Sequence, residues 1–321
     1  MKIKMMPYVG FFIVSLALAY FAADEGAHES ESGQNWLKIA KGSIQEIAYE
    51  EDGNQTHVKK GQGEGIYWIE TVLKLKSPEG EKEEKDRFLA NEKLEEALER
   101  FHSFEVEKVI GDAKGLKLEE FGLDKPVGRL VVKYGENQEL KLAIGKRSFQ
   151  SPEVFVLDEG KQTVLLLDRQ TIALLERPKN RLALTQPYRF KPDDLAAAML
   201  SQEDKTAEFV QQGKGQARAW FTRGKSDSPN EAFRNWLDKL LKLRVEAYPS
   251  EEQVAGIEQL PRKFSILFRD ERKELDLLTF YEDSSASPLR YWVKSRSLPL
   301  PVAVEGSKVS VLLADLKGIL P

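Results

Sequence analysis

The chain has no cysteine and only three histidines in 321 residues, and its 48 Lys+Arg nearly balance its 52 Asp+Glu. Without cysteine there is no disulfide, no cysteine-ligated zinc, no thiol nucleophile and no lipidated N-terminal cysteine. The absence does not fix the compartment. His28, His57 and His102 are far apart, and no H-x-x-x-H pair places two imidazoles on one helix face for a metal. A formal charge of -4 supplies no concentrated basic face, so nucleic acid is not expected as a partner. No G-x-x-x-x-G-K-[ST] occurs, which excludes a P-loop, and no G-x-S-x-G occurs, which excludes a hydrolase nucleophile elbow. What remains is a chain 41% hydrophobic and 31% charged, able to bury a core and long enough for about two domains.

The longest uncharged run lies at the N-terminus. Lys2 and Lys4 precede Met5 to Ala23, which carry no charge, and Asp24 and Glu25 follow at once. At 1.5 Å per residue about 19 helical residues reach about 28 Å, close to the hydrocarbon thickness of a bilayer. The basic start and acidic end place the N-terminus in the cytoplasm and the remainder outside it. Residues 1–23 are therefore expected to be a retained inner-membrane anchor, single-pass, with the globular part periplasmic. A cleaved signal peptide is the competing reading, since Ala17-Leu18-Ala19 and Phe21-Ala22-Ala23 offer small residues for cleavage. Residues 24–35 are almost free of apolar side chains and read as a flexible tether, with His28 solvated in it.

The rest repeats itself. Val58 to Ile69 and Val210 to Phe221 share one layout: an apolar residue, two polar ones, a Gly-x-Gly tip and a strand containing tryptophan. Each half then has an amphipathic helix, with Leu94, Leu98 and Phe101 in one and Phe233, Leu237 and Leu240 in the other, behind Asn91 and Asn230 at cap positions. Phe121-Gly122-Leu123-Asp124-Lys125-Pro126 precedes the alternation Leu130, Val132, Tyr134. Ala255-Gly256-Ile257-Glu258-Gln259-Leu260-Pro261 precedes Phe264, Ile266, Phe268. In both, glycine is expected to close a turn, an apolar residue to plug inward and proline to stiffen the approach to a strand. Leu140, Leu142 and Ile144 match Leu275, Leu277 and Leu278, and Val154-Phe155-Val156 matches Tyr291-Trp292-Val293. Helical segments near Ile172 to Leu175 and Val309 to Leu316 close the halves.

The expected fold is therefore α+β: two tandem, duplicated lobes, 36–186 and 187–321, each a mainly antiparallel sheet with amphipathic helices, after one transmembrane helix. The charge-dense stretch Ser77 to Arg87 is expected to be an inserted, solvated loop.

The series Glu120-Phe121-Gly122-Leu123-Asp124-Lys125-Pro126, Leu142-Ala143-Ile144-Gly145, Glu153-Val154-Phe155-Val156 and Val164-Leu165-Leu166-Leu167 resembles the domain of unknown function 4340 (DUF4340) family of bacterial envelope proteins. The resemblance covers roughly 36–186, and the second half only weakly. There Gly256-Ile257 stands for Gly-Leu, one residue is inserted before Pro261, and the Ile-Gly element is missing. It implies an N-terminally anchored extracytoplasmic protein, some relatives of which accompany gliding-motility-type ABC transporter auxiliary proteins. It implies no catalytic residues.

Few residues invite chemistry. Gly61-x-Gly63-x-Gly65 lacks the dinucleotide spacing and runs into a strand, so it reads as a hairpin tip. Glu50-Glu51-Asp52-Gly53-Asn54 lacks the later carboxylate of a calcium loop and reads as a turn between strands. Asp193-Asp194 is expected to start a helix from Asp194 to Leu200, and His102 to sit at the C-terminus of one. Trp68, Trp220, Trp236 and Trp292 are expected in the core; Trp36 lies either at the membrane interface or against the first hairpin. No catalytic, cofactor-binding or metal residue is assigned. The expected function is a non-enzymatic accessory module of an envelope or ABC-transporter-type complex. An exported hydrolase with an acidic pair between the lobes, or a soluble periplasmic ligand binder, is the alternative.

Overall fold

A computed structural model of the chain describes residues 33–320 apart from 64, 78–79, 214–217 and 226–227. The expected anchor at 1–23, and His28 with most of the tether, lie outside the described residues. Among the described residues no helix is long and apolar enough to cross a membrane.

In chain order the strands are β1 (Gln34–Lys38), β2 (Ile44–Glu51), β3 (Asn54–Lys60), β4 (Tyr67–Ser77) and β5 (Gly80–Leu89), followed by helix α1 (Lys93–His102). Then come β6 (Ser103–Val106), β7 (Lys108–Asp112), two 3₁₀ turns at Ala113–Gly115 and Leu118–Phe121, β8 (Gly128–Tyr134), β9 (Gln138–Arg147), β10 (Glu153–Asp158) and β11 (Thr163–Asp168), with α2 (Gln170–Glu176) and α3 (Lys179–Leu182). The remainder holds β12 (Ala197–Gln202), β13 (Lys205–Gln212), β14 (Ala219–Thr222), α4 (Glu231–Leu241), β15 (Val245–Ala247) and α5 (Glu251–Ile257). It ends with β16 (Arg262–Arg269), β17 (Glu274–Asp283), β18 (Arg290–Ser295), β19 (Val302–Val304) and α6 (Gly306–Asp315).

Mainly antiparallel sheet is what forms. In the first half β5-β4-β3-β2 make one run and β8-β9-β10-β11-β7 another. In the second, β14-β13-β12 and β16-β17-β18-β19-β15 repeat both orders, joined by β12 on β16. The first half adds β5 at one edge and a separate two-stranded pair, β1 with β6.

The described chain packs as two compact units that do not follow the repeats. One comprises residues 33–44 and Leu98–Ala173, the other Gln45–Ala97 and Leu174 to 320. In the first unit Leu130, Val132, Leu142, Ile144, Val154 and Val156 alternate along their strands and are buried. A separate cluster of Ala113, Leu123, Ala143 and Val164 lies under the 3₁₀ segment. In the second unit the stripe Phe233, Trp236, Leu237 and Leu240 of α4 packs with Phe209, Phe264, Phe280, Val309 and Leu312, and Ile66 and Leu89 belong to the same core. Phe209 stacks on Phe233 with ring centroids 3.7 Å apart, and the Trp236 indole N–H donates to the Leu312 carbonyl at 3.0 Å. Asn230 caps α4 by accepting from the Phe233 N–H at 2.9 Å, as expected of that position.

Several sequence expectations need correction. Ser77 to Arg87 is not a solvated loop: Gly80–Leu89 is a strand paired with β4 from Ser77↔Gly80 to Trp68↔Leu89. The reason is cross-strand charge. Register sets Glu83 opposite Lys74 and Arg87 opposite Glu70, which stabilises a ribbon that the composition alone reads as coil. Asp194 to Leu200 is not a helix. After a 3₁₀ turn at Pro192–Asp194, Ala197–Gln202 is β12, because Ala198 and Leu200 are buried between β13 and β16, and pairing overrides alanine's helix propensity. Gly256 closes no turn; it lies inside α5. On β17 the buried alternating set is Asp276, Leu278 and Phe280, while Leu275, beside a register shift, is partly buried against the same core and Leu277 is half-buried.

Candidate interaction surface

The turn that starts β8 is built around two glycines. Gly122 ends the 3₁₀ turn Leu118–Phe121 in the left-handed region (φ 68°), where a side chain is strained. Gly145 on β9 faces it: a Cβ there would lie 2.3 Å from the Phe121 carbonyl oxygen and 3.0 Å from Leu123. Only a bare backbone lets the turn lie this close to the strand. Leu123, 5% exposed, then plugs the cluster with Ala113, Ala143 and Val164, and Phe121 meets Phe155 edge-on at 5.0 Å. The second half reaches the same result by another route, with Ile257 at the end of α5 packed on Trp292 and Ala303. The glycines therefore serve close packing, and the plug is inward in both halves.

A second feature is open. β4 meets β3 only as far as Gln55↔Val72, so residues 73–77 with 80–84 continue as a two-stranded ribbon. The Ala90 N–H bonds back to Tyr67, whereas the Leu89 carbonyl turns away and accepts from Leu184 N–H at 2.8 Å. Main-chain groups alternate sides along a strand, so the N–H and C=O groups of Glu81, Glu83, Lys85 and Arg87 point outward, away from β4. β5 ends its sheet, and among the described residues no strand covers that edge before Leu184. On the ribbon, Lys179 of α3 binds Asp86 at 2.8 Å and Glu84 at 3.8 Å, while the Arg87 guanidinium lies 4.3 Å from the Trp68 ring.

The family model described as "Domain of unknown function (DUF4340)" matches residues 89–259, more than half of the chain. The chain belongs to the DUF4340 family. No curated protein and no solved structure matches it. The DUF4340 match contains the Gly122 turn, Gly145 and Phe155, and it corrects the expected coverage of 36–186 by running on through α4 and α5. It begins at Leu89, the last residue of β5.

Other residues singled out in this DUF4340 chain have structural partners. Trp36 on β1 donates to Asp158 at 2.8 Å, with the Lys161 ammonium 3.9 Å from its ring, so it covers the β10–β11 turn and not the first hairpin. Trp220, Trp236 and Trp292 are buried; Trp68 is half-buried, edge-on to Tyr248 at 5.5 Å. Asp52 and Gly53 form the two-residue turn between β2 and β3, as expected. His57 lies 3.5 Å from Glu46, and His102 ends α1 with its Nδ1 buried and unpartnered among the described residues. His28 lies outside the described residues, and among those described no cluster of three or more His, Asp or Glu could hold a metal.

Two carboxylates escaped the sequence reading. Asp276, 1% exposed, accepts from Ser295 Oγ at 2.6 Å, Ser297 Oγ at 2.7 Å and the Arg296 N–H at 2.8 Å. Asp158, 3% exposed, accepts from the Gly160 and Lys161 N–H groups as well as from Trp36. The only hint was a charge at an inward position of an alternating strand. Asp193, Asp194, Asp270 and Glu271 do line an open concavity of 440 Å³ with Arg218 and Arg272. Yet the backbone N–H groups of Arg272 and Lys273 hold Asp270 below the usual carboxylate range. Lys41 does the same to Glu99, and Arg296 to Glu274. A general acid needs the opposite shift.

Proposed function

We propose that this DUF4340 protein is a non-catalytic interaction module anchored in the inner membrane by residues 1–23, its folded part periplasmic, working as an accessory component of an ABC-transporter-type envelope complex. The observation that carries the reading is the outer edge of β5, a row of outward main-chain groups on a ribbon that extends past its sheet. Such an edge binds by strand pairing and needs no reactive side chain. The uncharged run Met5 to Ala23 between lysines and acids supports the anchor. Tethering would raise the module's effective concentration next to a membrane partner. The matching strand orders of the two halves support a tandem duplication with its boundary near Gln186-Pro187.

The test is affinity capture of the full-length chain from detergent-extracted membranes, beside Lys85→Pro. Proline at this outward position removes a donor from the open edge and none from the ladder with β4. The reading expects wild type to recover membrane-spanning or ATP-binding transporter subunits, and K85P to lose them with its circular dichroism unchanged. Wild type that recovers no such subunit, or K85P that still does, overturns it.

A further inference from the structure

Charged edge strands usually resist pairing with other strands. β5 departs from that rule in a specific way: the order of its charges makes it complementary to itself. From Glu81 the strand reads Glu-Lys-Glu-Glu-Lys-Asp-Arg to Arg87. In an antiparallel ladder, outward-pointing residues pair only with outward-pointing ones. The outward set is odd-numbered, so two copies of β5 can meet only in registers centred on a residue, never between two.

Centred on Glu84, the register sets Lys82 against Asp86 and Glu83 against Lys85, each twice by symmetry, and brings the backbone of Glu81 opposite Arg87. The one like pair is Glu84 with its symmetry mate. Each Glu84 has Lys179 3.8 Å away to offset it. Shifting the centre to Lys85 opposes Lys85 to itself and Glu84 to Asp86. It also sets Glu81 opposite Leu89, whose carbonyl is already bonded to Leu184. Shifting the centre to Glu83 opposes Glu83 to itself and carries Arg87 past Gly80, where β5 begins, so one outward residue is left without a partner. The Glu84 register uses the open stretch and stops at the covered one.

We propose that the outer edge of β5 pairs, antiparallel and about a two-fold axis at Glu84, with β5 of a second copy of this chain. The pairing makes about eight main-chain hydrogen bonds, two for each of the four outward residues. One strand edge is far smaller than the roughly 1,600 Å² of a standard stable interface, so the dimer is weak in dilute solution and is read by trapping. The inference rests on β5's edge being a contact surface, and on nothing about the membrane or a transporter.

The absence of cysteine makes the trap clean. In the proposed register position 84 faces its mate in a non-hydrogen-bonded pair with Cα atoms about 4.5 Å apart, within disulfide range. Position 82 is on the same face and equally exposed, but four residues out of step with its mate, roughly 14 Å away. Full-length Glu84→Cys in detergent, mildly oxidised, is expected to form a covalent dimer, and Lys82→Cys to remain monomeric. In the E84C background, Glu83→Lys opposes lysine to Lys85 twice and should cut the dimer yield roughly tenfold. Adding Lys85→Glu should restore it, which loss of folding could not do. E84C trapped no better than K82C, or a charge-reversed pair that fails to restore the yield, overturns the proposal. Self-trapping without transporter subunits in the capture experiment keeps this inference and removes the functional reading; K85P-sensitive capture without self-trapping does the reverse.

Discussion

Replacing Gly145 by alanine tests whether the DUF4340 glycines serve packing. The added Cβ would sit 2.3 Å from the Phe121 carbonyl oxygen, whereas ordinary contact begins at 3.4 Å, so the turn must retreat by about 1.1 Å. If the turn stays, the overpacking costs about 1–3 kcal/mol. If it lifts, Leu123 loses about 1.5–3 kcal/mol of burial, and the Phe121–Phe155 contact loses about 0.5–1.5 kcal/mol more. Either route destabilises by about 2 kcal/mol, and the second approaches 4. Two companion substitutions calibrate the result. Gly122→Ala carries a left-handed backbone penalty of about 1–2 kcal/mol. Gly256→Ala meets nothing within 4 Å inside α5 and should gain about 0.5–1 kcal/mol. Urea unfolding followed by near-ultraviolet circular dichroism gives all three. Wild-type stability in G145A would refute the close-packing argument, and equal losses at 145 and 256 would refute the distinction between the halves.

Two further predictions concern buried polar groups. Asp276→Asn replaces acceptor oxygens facing Ser295, Ser297 and the Arg296 N–H, and should cost about 1–3 kcal/mol in the same unfolding assay. Tyr248, desolvated beside Trp68, has its pKa pushed up to about 12. Its folded value lies above the unfolded one, so its contribution to stability is complete below pH 10 and is lost as the pH climbs through about 12, where the unfolded chain has released the proton first. Ultraviolet difference titration should show a late-titrating tyrosine that is absent in Tyr248→Phe.

Much of this fold could be read from residue order. The stripes of α1 and α4, the turn at Asp52-Gly53 and the plug Leu123 follow from periodicity and turn chemistry, which act over a few residues; Ile257 is inward as expected, but from the end of a helix and not from a turn. The failures share a cause: a partner distant in sequence decided the outcome. Ala197 to Leu200 carries helix formers, and only β13 and β16 make it a strand. The acids and bases of β5 read as coil until Glu70 and Lys74 stand opposite them. Asp276 is tolerable inside only because Ser295 and Ser297, on and just beyond a neighbouring strand, satisfy it. The open β5 edge was invisible for the same reason, since an edge is defined by what does not pair with it.

Protease treatment of intact spheroplasts, followed by alkaline washing of their membranes, tests most directly where the folded body works. The body should be cut from outside the unbroken cell while uncut chain stays with the washed membrane. A body protected until lysis, or a chain released by the wash at full length, would contradict it.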